Sequence, residues 1–90
     1  MTSDDLYDGI PLTIQQVSLI TGIHKATLRY WEKIFGAYVQ PRRTVGNHRS
    51  YSSDDIHRLL ELKRLLKVEG YTVSGVRRRL NLPEPDVSQN

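Results

Sequence analysis

Ninety residues, 38% of them hydrophobic, make one domain near the smallest size that buries an adequate core unaided, and that apolar content excludes whole-chain disorder. The absence of cysteine excludes disulfides and thiolate metal sites. No apolar run approaches the roughly 20 residues that span a bilayer, and the acidic lead Met1 to Asp5 lacks the apolar core of a signal peptide. The formal charge of +3 hides an asymmetry: all thirteen Lys and Arg lie between Lys25 and Arg79, against five acids there, a surplus of eight, and the other five acids sit at the two ends. A basic body with acidic tails suits a polyanionic partner, although a solvated charged face explains the charge alone equally well.

Residues 1–11 read as a flexible acidic lead-in. Thr13-Ile-Gln-Gln16 is a capping-box pattern, with Leu12 and Val17 at the staple positions. Helix 1 is expected over Ile14 to Thr21, with Ile14, Val17 and Ile20 turned inward and Gly22 as a left-handed stop. His24 stands at the cap of the next helix, although His is not a favoured cap.

The stretch from His24 to Phe35 reads as a helix with two faces. Leu28, Trp31, Ile34 and Phe35 form an apolar stripe. Lys25, Arg29 and Lys33, four apart, form a basic stripe, and Thr27 and Tyr30 lie near it as hydroxyl donors. Two short helices joined by a Gly-containing turn make a helix-turn-helix pattern, whose second helix is suited to a DNA major groove. Arg29 is the leading candidate for a base contact; its bland alternative is a surface ion pair with Glu32 at i+3, worth at most about 1 kcal/mol. Trp31 belongs to the core at this spacing.

Gly36 is expected to stop helix 2, and Ala37 to Gln40 has an exposed, strand-like pattern before Pro41. Gly46-Asn47 is a good hairpin tip, with Arg43 to Val45 expected to pair with His48 to Tyr51. Arg42, Arg43, His48 and Arg49 crowd near that tip. Such a hairpin cannot bury itself, and its chemistry suits phosphates or a narrow minor groove. Ser52 to Asp55 is a second capping pattern. It opens a helix expected over Asp54 to Val68, with Ile56, Leu59, Leu60, Leu62, Leu65 and Leu66 inward and Arg58, Lys63, Arg64 and Lys67 solvated outside. Gly70 ends it, Tyr71 packs back, and Thr72 caps a last helix over Val73 to Leu80, with Arg77, Arg78 and Arg79 outward. Residues 82–90 read as a linker or tail. The fold class expected is mainly α: four helices with a small two-stranded β-hairpin.

With these elements in order, the chain resembles the N-terminal DNA-binding domain of MerR-family transcription regulators. The residues that carry the resemblance are Thr27-Leu-Arg-Tyr-Trp-Glu32, Pro41, Arg43, Gly46, His48-Arg49, Tyr51, Asp55, Gly70-Tyr71-Thr72-Val73 and Val76. The Trp31-Glu32 pair and the Gly-x-His-Arg segment look nearest to the MlrA and CarA branch. Asn47 stands where the family's usual second wing glycine would be, and His24 where Ser or Thr is common.

The resemblance implies a winged helix-turn-helix over residues 12–81. Its second helix would enter the major groove through Lys25, Thr27, Arg29, Tyr30 and Lys33. Its wing would contact flanking backbone or the minor groove, with Arg42, Arg43, His48 and Arg49 as candidates. It implies a bacterial, cytoplasmic, nucleoid-associated regulator of promoter or operator DNA. It also implies a homodimer in the full-length protein through a helical segment not included in this sequence, with RNA polymerase as a further candidate partner, no membrane association, and no cofactor in this domain. Nothing resembles a nucleophile elbow or phosphate loop, so no enzyme is expected. His24, His48 and His57 lie on separate elements without ligand spacing, so no metal site is expected either. Two alternatives share the fold: a protein-interaction adaptor (an anti-repressor), motivated by Ala37, Tyr38 and Val39 as apolar residues the core does not clearly need, and an excisionase-like architectural protein.

Overall fold

The computed structural model describes residues 9–46 and 48–83. Most of the expected lead-in, most of the tail and the hairpin residue Asn47 therefore lie outside the described residues. The elements run α1 (Ile14–Thr21), α2 (Lys25–Ile34), β1 (Arg42–Arg43), β2 (Arg49–Ser50), α3 (Ser53–Lys63) and α4 (Val73–Arg79), and a π-helical turn (Arg64–Val68) extends α3. The chain is mainly helical with a two-stranded antiparallel hairpin, consistent with a winged helix-turn-helix.

Local chemistry sets the helix starts. The Thr13 hydroxyl accepts from the Gln16 N–H while the Gln16 side chain accepts from the Thr13 N–H, a complete capping box. Ser52 and Asp55 repeat the arrangement at α3, and the Thr72 hydroxyl caps α4 by accepting from the Gly75 N–H at 3.0 Å. α2 departs from this pattern: His24 occupies the cap position but its side chain makes no capping bond.

The turn between α1 and α2 depends on Gly22. Its φ of +75° is in the left-handed region, and a Cβ there would meet Lys63 Nζ at 3.1 Å. That ammonium comes from α3 to donate to the carbonyl of Thr21, the last residue of α1, at 2.8 Å. It serves a helix end that carries no basic residue in its own last turn. Lys63 is thus part-buried and structural, where the spacing had placed it among solvated cations.

The core gathers Val17, Leu28, Trp31, Phe35, Tyr51, Leu59, Leu62, Leu65 and Val76 from all four helices and the hairpin. Several expected inward positions are corrected. Ile20 is exposed and Thr21 takes the inner place beside it, because its hydroxyl is satisfied locally, donating to the Val17 carbonyl at 2.7 Å and accepting from the Ile23 N–H. Leu60 is exposed too, leaving Ile56, Leu59, Leu62 and Leu65 as the buried line of α3 and its extension. That extension turns π-helical at Arg64, where the Glu69 N–H reaches back five residues to the Arg64 carbonyl.

α2 ends at Ile34 with Phe35 as its cap, one residue before Gly36, and a turn follows. Ala37 to Gln40 is not an exposed strand. The Tyr38 and Val39 N–H groups both donate to the Phe35 carbonyl, and this fold-back buries Val39 completely. Tyr38 is half-buried, with the Arg58 guanidinium 5.7 Å from its ring centre and donating to its carbonyl at 3.1 Å. Of the three apolar residues that motivated an adaptor, Val39 is core, Tyr38 packs against the core and Ala37 is exposed. Arg77 is also corrected: half-buried, it donates to the carbonyls of Ile34, at the end of α2, and Pro83.

Candidate nucleic-acid interface

The hairpin is short. Arg42 pairs with Ser50 and Arg43 with Arg49, and the Thr44 N–H donates to the His48 carbonyl at 2.8 Å. The pairing begins one residue earlier than expected, and Val45 lies in the turn, fully exposed. Gly46 has a φ of +90°, with the His48 ring 3.3 Å from where a Cβ would stand. At the hairpin's base, Tyr51 is buried and exchanges backbone hydrogen bonds with Leu12 at 3.0 and 2.8 Å, which ties the wing to the start of the domain.

On α2, Lys25, Arg29, Tyr30 and Lys33 are exposed, while Leu28, Trp31 and the adjoining Phe35 are buried. The helix therefore turns one face to the core and a cationic face to solvent. Lys25 Nζ donates to Gln15 of α1 at 3.4 Å. Among the described residues Arg29 has no hydrogen bond or ion pair, so the alternative of a surface pair with Glu32 does not form. Thr27 stands apart from the basic stripe. It is half-buried and lines a hollow of about 100 Å³ with His24, Trp31, Lys63 and Lys67.

Glu32 turns instead to the wing. Its carboxylate accepts from Arg43 Nη2 at 3.2 Å, from Arg49 Nε at 2.5 Å and from the Tyr51 hydroxyl at 3.4 Å. Burial, reinforced by the Glu32 charge, pushes the Tyr51 phenol up to about 12, so it stays protonated at neutral pH and can donate. The four basic wing candidates are thereby divided. Arg43 and Arg49 face α2. Arg42 and its partner Ser50 line a polar hollow of about 500 Å³ beside the start of α3, with Gln40, Asp54 and Arg58. His48 is exposed next to the tip.

Glu32 is the residue whose role the spacing did not reveal. Its partners lie 11, 17 and 19 positions away, and only the closing of the hairpin against α2 brings them together. Among the described residues, no helix is long and apolar enough to cross a membrane.

The sequence matches the MerR HTH family of regulatory proteins over residues 12–82, nearly the whole span of these elements. The chain belongs to that family. It is 39% identical to the HTH-type transcriptional regulator MlrA of Escherichia coli over 75 residues, which is 83% of this chain and 30% of MlrA. It is 39% identical to the HTH-type transcriptional repressor CarA of Myxococcus xanthus over 64 residues, 70% of this chain and 22% of CarA. A third relative, the mercuric resistance operon regulatory protein of Bacillus cereus, is 32% identical over 65 residues, covering 72% of this chain and 48% of that protein. The chain thus spans less than a third of MlrA and of CarA. All three relatives are named as regulators rather than enzymes.

Proposed function

We propose that this domain binds double-stranded promoter or operator DNA sequence-specifically as part of a transcriptional regulator. α2 enters the major groove and the wing lies on flanking backbone or in the minor groove. The observation that carries this reading is the exposed cationic face of α2, with Arg29 unpaired among the described residues, on a helix whose other face is locked into the core. A rigidly seated helix presenting a free guanidinium has what base-edge recognition needs. Lys25, Lys33 and Tyr30 supply neighbouring backbone and base contacts, Thr27 a contact at the start of α2, and Arg42, Arg43, His48 and Arg49 the wing contacts. The family names of the relatives, all regulators, support the same reading.

The reading extends to a homodimer of the full-length protein on a two-fold operator, acting at the nucleoid with RNA polymerase as a neighbour on the promoter. DNA binding by this domain requires no cofactor.

Fluorescence anisotropy of the 90-residue chain, titrated against DNA from upstream of its own gene and against a scrambled duplex at two salt concentrations, tests the reading. Preference for the upstream DNA, weakening steeply as salt rises, is expected. Arg29→Ala should cost about 1–3 kcal/mol on the preferred duplex. Unchanged affinity would remove Arg29 from the base-reading role. Absence of binding to either duplex at low salt would remove DNA from the proposal.

A further inference from the structure

Arg43 and Arg49 are register partners across the hairpin. Two guanidinium groups therefore stand opposite one another on one face of a ribbon, an arrangement that like charge disfavours. Each strand contributes only two residues, too little ladder to hold such a pair by itself. The compensating group comes from another element: Glu32 of α2 takes one arginine on each carboxylate oxygen. The third contact of that carboxylate is the hydroxyl of Tyr51, a ring anchored in the core. The cluster sits at the surface, with side-chain exposures of 18% for Glu32, 22% for Arg49 and 44% for Arg43.

Each bond uses one nitrogen and leaves others free. Arg49 donates through Nε, so both of its terminal nitrogens remain available, and Arg43 keeps Nη1 and Nε. Two oriented guanidinium groups with spare donors have the chemistry of a phosphate clamp.

We propose that Glu32 is a positioning residue for DNA binding: by tying α2 to both wing strands, it aims the free nitrogens of Arg43 and Arg49 at backbone phosphates beside the recognition helix. This inference rests on the DNA-binding reading above. It also opposes simple Coulomb expectation. A carboxylate near DNA repels phosphate, so a Glu32 that only adds charge would weaken binding and its removal would strengthen it. A Glu32 that positions the wing arginines gives the opposite sign.

The test uses the 90-residue chain and a fluorescein-labelled duplex of mixed sequence, since every duplex carries the phosphates in question. Glu32→Gln should bind about five- to tenfold more weakly than wild type despite its gain of one positive charge. The slope of log affinity against log salt should shrink by about one phosphate contact. In an Arg43→Ala, Arg49→Ala background the same substitution should no longer weaken binding, because only the carboxylate's repulsion of phosphate is left to remove. Arg49→Lys, which keeps the charge and loses the Nε–H geometry, should weaken binding in the same direction and guards against a folding artefact in Glu32→Gln. Thermal melts establish that each variant is folded. Equal or tighter binding by folded Glu32→Gln, or wild-type affinity of Arg49→Lys, overturns the positioning role while leaving DNA binding intact. Absence of salt-dependent binding by wild type overturns the underlying reading, and this inference with it.

Discussion

The cations of α2 and several of those on α3 and α4 belong to one basic stretch of the chain, and the fold uses them in opposite ways. Lys25, Arg29 and Lys33 extend from α2 into solvent, bound to no backbone carbonyl among the described residues. Lys63 of α3 and Arg77 of α4 turn inward to the last carbonyls of α1 and α2, respectively. Arg58 reaches the Tyr38 carbonyl in the turn after α2. A helix end leaves carbonyls without intrahelical partners, and a cation that reaches them satisfies the hydrogen bond and complements the dipole together. Charge along a sequence therefore does not separate a ligand-facing cation from a strut. The separation comes from whether a terminal carbonyl lies within the side chain's reach.

Arg77 offers the hardest test of that division, because it bonds two carbonyls while its Nε is buried without a partner among the described residues. Arg77→Met keeps the apolar stem and removes the donors, and it should lower stability by about 2 kcal/mol, less than two charged hydrogen bonds because the orphaned Nε goes with them. Lys63→Met should cost less, about 1–1.5 kcal/mol, for the single bond to Thr21. Denaturant midpoints with unchanged slopes measure both. Wild-type midpoints would return these residues to the solvated class and erase the contrast with α2.

The range of each interaction decided what could be read from the chain. The capping boxes at Thr13–Gln16 and Ser52–Asp55, the span of α1 and the left-handed stops at Gly22 and Gly70 involve neighbours within a few positions, and the residues themselves encode them. The buried Trp31 and the hairpin's approximate place follow from periodicity and turn chemistry. The struts were not legible: Lys63 and Arg77 bond carbonyls 42 and 43 positions away. Val39 looked exposed because it follows a helix stop, and only the fold-back onto Phe35 buries it. At the candidate interface, the exposed stripe of α2 was legible from its four-residue spacing. The division of the wing arginines was not, since Glu32 had a plausible local partner in Arg29 and the hairpin supplied two distant ones in its place.

The contrast between α2 and the other helices extends to their starts, where the smallest effect is expected. α3 has a full capping box and two acids in its first turn, Asp54 and Asp55, where the positive end of the dipole favours them. α2 has a histidine that makes no capping bond and a lysine as its first residue, with no acid in its first turn. Both features cost stability, and both leave the start of α2 without a side-chain acceptor or negative charge at its first-turn N–H groups. His24→Ser would supply the missing acceptor to the first-turn N–H groups and should raise stability by about 0.5–1 kcal/mol in a thermal melt. The backbone at His24 is already extended, as a capping serine requires, so the substitution imposes no conformational change. A stability gain accompanied by weaker binding to the upstream duplex would show that α2 forgoes a cap for the sake of its ligand. A gain with unchanged binding would confine the role of α2 to its cationic stripe, with Arg29 at its centre.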